Sequence, residues 1–213
     1  MGFAKLATLS SIVDTGTVLI VRLDTAEESY DVALAAADGG VRAVEITLTT
    51  PGALGVVERL ARERPELHVG AGTVLDEHAA YAAIEAGARF LVSPQLSPAM
   101  LRVANRYQVA TVAGAMTPTE ILASAEAGAD LVKVFPTEAM GVAATRAVLA
   151  PLAHIPLVPA GGATPDNVHE WVRAGATAIG VGSCITKAHR PDGDLGAVTR
   201  SARRFLDAVA QAR

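Results

Sequence analysis

A lysine lies at the centre of an apolar segment, where a charged side chain needs a chemical reason. The segment is LVKVF, residues 131–135; it has the pattern of a strand with no exposed side, and Lys133 is its middle residue. Burial of an ammonium group is costly unless the group is paired or loses its proton. A neutral amine in an apolar cavity can attack a ketone and form a Schiff base. Lys133 is therefore predicted to be a catalytic nucleophile.

Four segments of the chain resemble one another, and they relate a carboxylate to this lysine. The segments are ADGGVRAVEI, IEAGARFLVS, AEAGADLVKV and VRAGATAIGV. Each is predicted to end a helix, turn on a glycine in a left-handed conformation and enter a strand. The turning glycines are Gly40, Gly87, Gly128 and Gly175, and the residues five positions after them are Glu45, Val92, Lys133 and Gly180.

The repeat predicts that Glu45 and Lys133 share one layer inside a barrel. In a (β/α)₈ barrel, alternate strands contribute four side chains to one interior layer, and active sites form at the carboxyl ends of the strands. A carboxylate this close favours the charged amine, so either burial of Lys133 dominates or Glu45 acts through a water molecule instead of a direct ion pair. Two alternatives stay open: both groups are outward-facing charges covered by helices, or they form a buried structural ion pair.

Glycines near the end of the chain predict an anion site. Gly161 and Gly162 in VPAGGATPDN follow the predicted seventh strand, and Ser183 in GVGSCI follows the eighth. Phosphate sites in (β/α)₈ barrels often combine the loops after these two strands with a helix N-terminus. Glycine lets backbone N–H groups approach the anion, and the serine hydroxyl can donate a hydrogen bond. These residues predict binding of a phosphorylated ligand.

The elements that must position these residues alternate between short runs rich in Val, Ile and Ala and longer Ala-rich stretches with polar residues at helical spacing. Strands are predicted near 18–22, 43–47, 68–72, 90–93, 109–113, 131–135, 157–160 and 178–182. Helices are predicted near 26–38, 53–63, 76–86, 98–106, 117–127, 142–150, 166–174 and 194–211. Eight such pairs without a linker predict an α/β chain with one (β/α)₈ TIM-barrel domain over residues 1–213. A doubly wound open sheet is the second choice, and no G-x-G-x-x-G follows the first strand to support a dinucleotide site.

Composition argues against several classes of function. The net charge is −4 and the pI about 5.7, which gives no reason to expect nucleic-acid binding. No apolar run approaches the roughly 20 residues of a membrane span, and the first residues lack the apolar stretch of a signal peptide. The single cysteine, Cys184, fits a reducing cytoplasm and is expected to be a small packing residue. The histidines show no zinc-binding spacing, so no metal is expected.

Six segments, in chain order, resemble the KDPG/KHG aldolase family. They are VRAVEITLTTPGAL, VGAGTVLD, FLVSPQLS, AGAMTPTE, LVKVFPTEAMG and VPAGGATPDNVHEW, and the similarity runs from about residue 15 to about residue 207. The resemblance implies a class I aldolase that cleaves 2-keto-3-deoxy-6-phosphogluconate to pyruvate and glyceraldehyde 3-phosphate, or 4-hydroxy-2-oxoglutarate to pyruvate and glyoxylate. It also implies a homotrimer of (β/α)₈ barrels that needs neither a metal nor an organic cofactor.

The family pattern, carried onto matching positions, implies roles for several residues. It makes Lys133 the Schiff-base residue and Glu45 the general acid/base. Thr73, in GAGTV, matches a threonine that helps to hold the pyruvyl end of the substrate. Arg22, at the end of the first strand, matches a basic residue of some members, and a guanidinium can bind a carboxylate through two hydrogen bonds. The alternative for Arg22 is an exposed arginine at a strand end.

The same pattern implies the rest of a substrate site. Gly161, Gly162 and Ser183 match the phosphate-binding positions. Pro94 and Phe135 are expected to form walls of the cavity. The expected partners are therefore a phosphorylated keto acid and pyruvate.

Two positions depart from the family pattern. Thr49 in TLTT replaces an arginine of some members, so Arg22 is expected to supply more of the anion binding. Ala160 in PAGG replaces a threonine of many members beside the aldehyde half of the substrate. Loss of a hydroxyl from such a position can reduce discrimination, so the choice between the gluconate and galactonate epimers is open.

Two other functions stay open on the same fold. The first is another phosphosugar enzyme, such as an isomerase, epimerase or decarboxylase, which the fold alone would not distinguish. The second is a noncatalytic barrel that binds a phosphorylated metabolite through the glycine turns and forms no covalent adduct with pyruvate. Lys133 and Glu45 in one layer favour the aldolase.

Overall fold

Eight parallel strands form the inner wall of the protein. The computed structural model describes residues 3–190 and 193–213. The strands are β1 (Thr17–Val21), β2 (Ala43–Thr47), β3 (His68–Gly72), β4 (Phe90–Val92), β5 (Ala110–Ala115), β6 (Leu131–Val134), β7 (Leu157–Pro159) and β8 (Ile179–Val181). Their continuous apolar sequences follow from burial on both faces, because the helices cover one side and the barrel interior the other. Every predicted strand is present, with ends shifted by at most two residues.

The sheet closes into a barrel through a single bridge. Its strand order is β7-β6-β5-β4-β3-β2-β1-β8. A parallel bridge between Ala160 and Gly180 joins the two ends of this order. Gly180 permits the close approach, since an added Cβ would lie 2.8 Å from the Ala160 methyl carbon. The predicted (β/α)₈ fold is confirmed, and the open sheet is wrong.

Helices cover the outside of the barrel. They are α1 (Ala4–Thr15), α2 (Ala26–Asp38), α3 (Ala53–Glu63), α4 (Glu77–Glu85), α5 (Pro98–Tyr107), α6 (Pro118–Glu126), α7 (Thr137–Leu149), α8 (Val168–Arg173), α9 (Ser183–Thr186) and α10 (Leu195–Ala212), with a 3-10 turn at Ala150–Leu152. The sequence patterns did not predict α1 or α9. Helix α7 begins five residues before its predicted start and ends one residue before its predicted end. Gly141 (φ 74°, ψ 166°) interrupts it, and only the part after this glycine was predicted. Within the described residues, none of the helices combines the length and apolar character of a membrane span.

The four repeated segments share the turn that was predicted for them. Their glycines all have positive φ angles: 107° at Gly40, 95° at Gly87, 89° at Gly128 and 97° at Gly175. Glycine takes this conformation without the steric cost that other residues carry. The repeat therefore brings four strands into the barrel by the same turn, and this gives their side chains a common register.

Helix α1 closes the amino-terminal end of the barrel. Its Ile12 is fully buried and packs in one apolar cluster with Val18, Phe90 and Leu131, which lie at or near the starts of β1, β4 and β6. Burial of one such side chain contributes about 1.5–3 kcal/mol. The opposite, carboxyl-terminal end of the strands has no comparable cover in the described residues and opens into a cavity.

Candidate active site

Lys133 and Glu45 lie together inside the barrel. Lys133 is in β6 and Glu45 in β2, and they are only 6% and 1% exposed. The distance from Lys133 Nζ to Glu45 Oε2 is 3.8 Å. Both residues border a small interior cavity that is also bordered by Val92 and Gly180. The four residues therefore surround one interior space, as the repeat predicts, and neither charged group faces outward.

One carboxylate oxygen of Glu45 has no partner. Its Oε1 is buried and accepts no hydrogen bond from any residue in the described part of the chain. Gly72 in β3 makes room for this oxygen, because a Cβ at that position would collide with it. A buried acceptor without a partner costs about 1–3 kcal/mol. A buried oxygen without a protein partner can accept a hydrogen bond from a group that the protein does not supply.

The surroundings of Lys133 are mostly apolar. Val112 and Val158 border the same interior cavity, and the centroid of the Phe135 ring lies 5.2 Å from Nζ. The separation of 3.8 Å between Nζ and Glu45 Oε2 exceeds the length of a charge-assisted hydrogen bond. The two groups therefore form a buried ion pair without a hydrogen bond between them.

A larger cavity of about 470 Å³ opens at the carboxyl ends of the strands. Its lining includes Lys133 and five other residues predicted for the site: Arg22, Phe135, Gly161, Gly162 and Ser183. These residues are far apart in the chain, but Lys133 lies in β6 and each of the other five follows β1, β6, β7 or β8 closely. Parallel strands bring their carboxyl ends to one side of a barrel, so the fold assembles the site from separate loops.

Arg22 reaches the cavity as an exposed, unpaired cation. It follows the last residue of β1 and lies on the lining of the cavity. Its guanidinium forms no hydrogen bond or ion pair with the residues that the structure describes. A planar guanidinium without a protein partner can bind a carboxylate through two hydrogen bonds.

The glycine turn after β7 is held in place by its neighbours. Gly161 and Gly162 both have left-handed backbone conformations, with φ angles of 113° and 78°. The Thr137 hydroxyl, at the start of α7, donates a hydrogen bond of 2.8 Å to the Gly161 carbonyl. The Asn167 side-chain amide donates one of 2.9 Å to the Gly162 carbonyl. The turn is thus fixed from α7 and from the segment before α8, on the lining of the cavity.

Three predicted residues lie outside the lining of the large cavity: Glu45, which borders the small interior cavity, Thr73 and Pro94. Thr73 follows β3 with a φ of 59°, which is uncommon for a β-branched residue, and comes directly after the glycine that contacts Glu45. Pro94 borders a neighbouring cavity of about 250 Å³, which shares Phe135 with the large one. The structure therefore brings Pro94 beside the predicted wall residue Phe135, but in a separate space.

The two positions that depart from the family pattern differ in their relation to the site. Thr49 does not line the large cavity, and its hydroxyl lies 3.1 Å from that of Thr47. Ala160 is buried and borders both the large cavity and the interior space around Lys133. Only Ala160 of the two therefore offers a surface to a ligand in this cavity.

Sequence reasoning did not assign four polar residues that line the large cavity: Glu138, Thr164, Thr186 and Lys187. Lys187 had a usable signal, since it follows Ser183 by four residues, the spacing that places two side chains on one face of a helix. Glu138 lies just beyond the unpredicted start of α7. Both were missed together with the helical turns that carry them.

Cys184 behaves as a packing residue. It is partly buried, and its thiol donates a weak hydrogen bond of 3.5 Å to the Ala163 carbonyl. Burial raises the pKa of the thiol to about 11, so it is protonated at neutral pH. No group of three His, Cys, Asp or Glu side chains within residues 3–190 and 193–213 could hold a metal ion.

Comparison with known proteins gives matches along nearly the whole chain. A family model described as KDPG and KHG aldolase matches residues 9–201. A 2-dehydro-3-deoxy-phosphogluconate aldolase of Pseudomonas aeruginosa is 33% identical over 212 residues, which cover 98% of this chain and 96% of the relative. A Rhizobium meliloti protein described as "Probable 2-dehydro-3-deoxy-6-phosphogalactonate aldolase" is 33% identical over 182 residues, which cover 84% of this chain and 85% of the relative.

The fold gives a match of the same extent. A solved structure described as "Native KDPGal structure" has a TM-score of 0.84 and 30% identity, over 92% of this chain and 95% of that one. Proteins named for the gluconate and for the galactonate compound are thus similar to this chain at nearly the same identity.

Proposed function

The chain belongs to the KDPG and KHG aldolase family, and we propose that Lys133 is its Schiff-base residue and Glu45 its general acid/base. It is a lyase of the class I type, which works through a lysine and not through a metal ion. One observation carries the assignment: the buried Lys133 amine, which lines an open cavity, lies 3.8 Å from a buried carboxylate.

The first half of the reaction forms a covalent intermediate. The neutral amine of Lys133 adds to the C2 ketone of a 2-keto-3-deoxy-6-phospho sugar acid, and loss of water gives an iminium ion. Protons for the departing water come from Glu45 in its acid form or from a water molecule beside it.

The second half breaks the bond between C3 and C4. Glu45, directly or through water, takes the proton of the C4 hydroxyl, and the bonding electrons move toward the iminium nitrogen to give an enamine. Glyceraldehyde 3-phosphate leaves. The enamine takes a proton at C3, and water hydrolyses the new iminium to pyruvate and the free Lys133 amine. The unpartnered Oε1 of Glu45 supports its role in these proton transfers.

The remaining site residues orient the substrate. We assign Arg22 and Thr73 to the pyruvyl carboxylate end, and Phe135 and Pro94 to the walls. We assign the phosphate to Gly161, Gly162 and Ser183. For Thr73 and Pro94 the support is the family pattern, since neither lines the large cavity.

Substrate choice depends on Ala160. The gluconate and galactonate compounds differ in configuration at C4, whose hydroxyl loses its proton in the cleavage step. The Ala160 methyl group borders the cavity and cannot form a hydrogen bond with that hydroxyl in either configuration. We therefore expect the enzyme to accept both epimers, with 4-hydroxy-2-oxoglutarate as a further substrate.

The family resemblance also supports an assembly and a location. We propose a homotrimer in the cytoplasm, with residues 1–213 of each chain forming one catalytic domain. The continuous barrel, in which β8 pairs with β1 and bridges to the end of β7, supports a single folding unit.

A coupled assay tests the function. The two epimeric 2-keto-3-deoxy-6-phospho sugar acids and 4-hydroxy-2-oxoglutarate are supplied separately, and released pyruvate is measured with lactate dehydrogenase and NADH. We expect pyruvate from both epimers and none with the Lys133→Ala variant. Absence of pyruvate from all three compounds with the folded wild type would reject the aldolase assignment.

A further inference from the structure

Lys187 shares a helical face with Ser183. Its backbone N–H donates a hydrogen bond of 3.1 Å to the Ser183 carbonyl, so the two residues are one helical turn apart. Side chains at this spacing lie on the same side of a helix. Both residues line the cavity of about 470 Å³ that also contains the glycine turn after β7. The geometry therefore brings a lysine to the part of the cavity where serine and glycine residues border it.

The ammonium group of Lys187 is not used by the protein. It forms no hydrogen bond or ion pair with the described residues. The neighbouring Arg190 differs, because it lies 2.9 Å from Asp24 and 3.3 Å from Glu28. His189 also lies 3.1 Å from a Glu28 oxygen. These contacts hold the segment after α9 against the start of α2, while the charge of Lys187 stays available to a ligand.

The charges on the cavity lining match a ligand with two anionic ends. Arg22 follows β1 and Lys187 follows β8, and both are exposed cations on one cavity. A keto acid phosphate carries a carboxylate at one end and, at the other, a phosphate with a charge of about −1.5 to −2. Glu138 also lines the cavity, and its carboxylate would repel the phosphate. A lysine beside Ser183 offsets this repulsion.

We propose that Lys187 binds the phosphate of the substrate and sets the preference for phosphorylated over nonphosphorylated keto acids. This rests on the proposed aldolase function. Ser183 and the glycine turn orient the phosphate, and Lys187 supplies positive charge that these neutral groups lack. Arg22 then serves the carboxylate of the substrate.

Steady-state kinetics with matched substrates test this role. We expect Lys187→Met to lower kcat/KM for the 6-phosphorylated 2-keto-3-deoxy acid about tenfold, mainly through KM, because a charge-assisted hydrogen bond is lost. The nonphosphorylated acid should change less than about twofold, and Lys187→Arg should keep most of the activity. Arg102→Met is the control, since it removes one positive charge from an exposed position on α5 that lines neither cavity. Equal losses for the two substrates, or no loss for the phosphorylated one, would overturn the proposal.

A binding measurement separates this proposal from the aldolase assignment. Glycerol 3-phosphate carries the phosphate but no ketone, so its calorimetric Kd does not depend on the lysine chemistry. We expect its Kd to rise about tenfold in Lys187→Met and to change little in Lys187→Arg and Arg102→Met. If the wild type cleaves no keto acid, the aldolase assignment fails, and these Kd values still decide the role of Lys187. An unchanged Kd in Lys187→Met would reject it.

Discussion

Each end of the barrel holds a lysine beside a carboxylate, but the two pairs are built differently. At the amino-terminal end, Lys5 Nζ lies 2.9 Å from Asp130, and the backbone N–H and hydroxyl of Thr111 each donate a 2.8 Å hydrogen bond to the other Asp130 oxygen. At the carboxyl-terminal end, Lys133 lies 3.8 Å from Glu45, one of whose oxygens has no partner in the described structure. The first pair is satisfied, whereas the second is incomplete.

This difference shows which end of the barrel stabilises the fold and which end contains a destabilising polar group. A buried polar group that lacks a partner is costly, and proteins keep such groups mainly where a ligand or a reaction completes them. The apolar cluster around Ile12 and the satisfied Asp130 close one end of the barrel. The folding free energy contributed by the closed end can offset the destabilisation caused by the incomplete pair at the other end. We therefore expect substitutions at the two ends to separate activity from stability.

The largest effect should come from the two lysines. Lys133→Ala removes the nucleophile and should lower kcat by a factor on the order of 10⁶, as removal of a catalytic nucleophile does elsewhere. Lys5→Ala should keep kcat and cost about 1 kcal/mol of unfolding free energy, since its ion pair is partly exposed. Pyruvate release and urea unfolding measure both effects. Turnover by the folded Lys133→Ala variant would contradict the assignment of Lys133 as the nucleophile.

The two carboxylates give the next largest contrast. Glu45→Gln should lower kcat by about 10²–10⁴, because proton transfer is lost while the lysine can still form the iminium. Asp130→Asn should leave kcat nearly unchanged and cost about 1–3 kcal/mol, because an anionic acceptor of three hydrogen-bonding groups is weakened. Trapping of the iminium in a single turnover tests whether Glu45→Gln still forms this intermediate. Denaturant unfolding measures the stability lost in Asp130→Asn. Normal turnover in Glu45→Gln would remove the carboxylate from the mechanism.

The apolar seal at the amino-terminal end should affect stability only. Ile12→Ala removes a fully buried side chain from the cluster between α1 and the strand starts, and it should cost about 2–5 kcal/mol. The catalytic pair lies at the other end, so kcat at a temperature where the variant is folded should stay within about twofold. Urea unfolding and the pyruvate assay provide the measurements. A large loss of kcat in the folded variant would show that the two ends are coupled.

The smallest effect should be a pH dependence of the closed end. His68 begins β3, and its Nδ1 lies 3.0 Å from the Thr8 hydroxyl in α1. Burial, and to a lesser degree the positive charge of Arg89, lowers the pKa of His68 in the folded protein. Below about pH 6.5 the unfolded chain then binds the proton more readily, so stability falls as the pH decreases toward the folded pKa.

A matched variant checks this pH dependence. Thermal unfolding of the wild type and of His68→Gln is followed at several pH values between about 8 and 5, and the variant should lose less stability over the acidic part of this range. Equal pH dependence of Tm in the two proteins would show that protonation of His68 does not cause the loss of stability. Activity at neutral pH should be unchanged, because the residue lies away from the catalytic end.

The parts of the site that were predictable are those that repeat. Glu45 and Lys133 each lie five residues after a glycine with a positive φ angle, so a turn shared by four segments is enough to predict that they border one interior space. The glycines after β7 and the serine after β8 were predictable because anion sites recur at this place in barrels.

The unpredicted parts lack such a pattern. Helix α1 buries only Thr8 and Ile12, and Leu6 is exposed, so its apolar residues do not form one periodic face. Helix α9 has four residues, too few for a periodic signal, and it carries Lys187 at its end. Only tertiary contacts define these elements. The separate cavity of Pro94 likewise depends on loop packing that no local pattern encodes.

The central claim is that the Lys133 amine bonds covalently to the keto carbon of the substrate. Borohydride reduction in the presence of pyruvate, followed by peptide mass spectrometry, tests it most directly. We predict one reduced pyruvate adduct per chain, located on Lys133, formed also by Lys5→Ala and Lys187→Met, and absent from Lys133→Ala. An adduct on Lys5 or Lys187, or equal labelling of the wild type and Lys133→Ala, would contradict the claim.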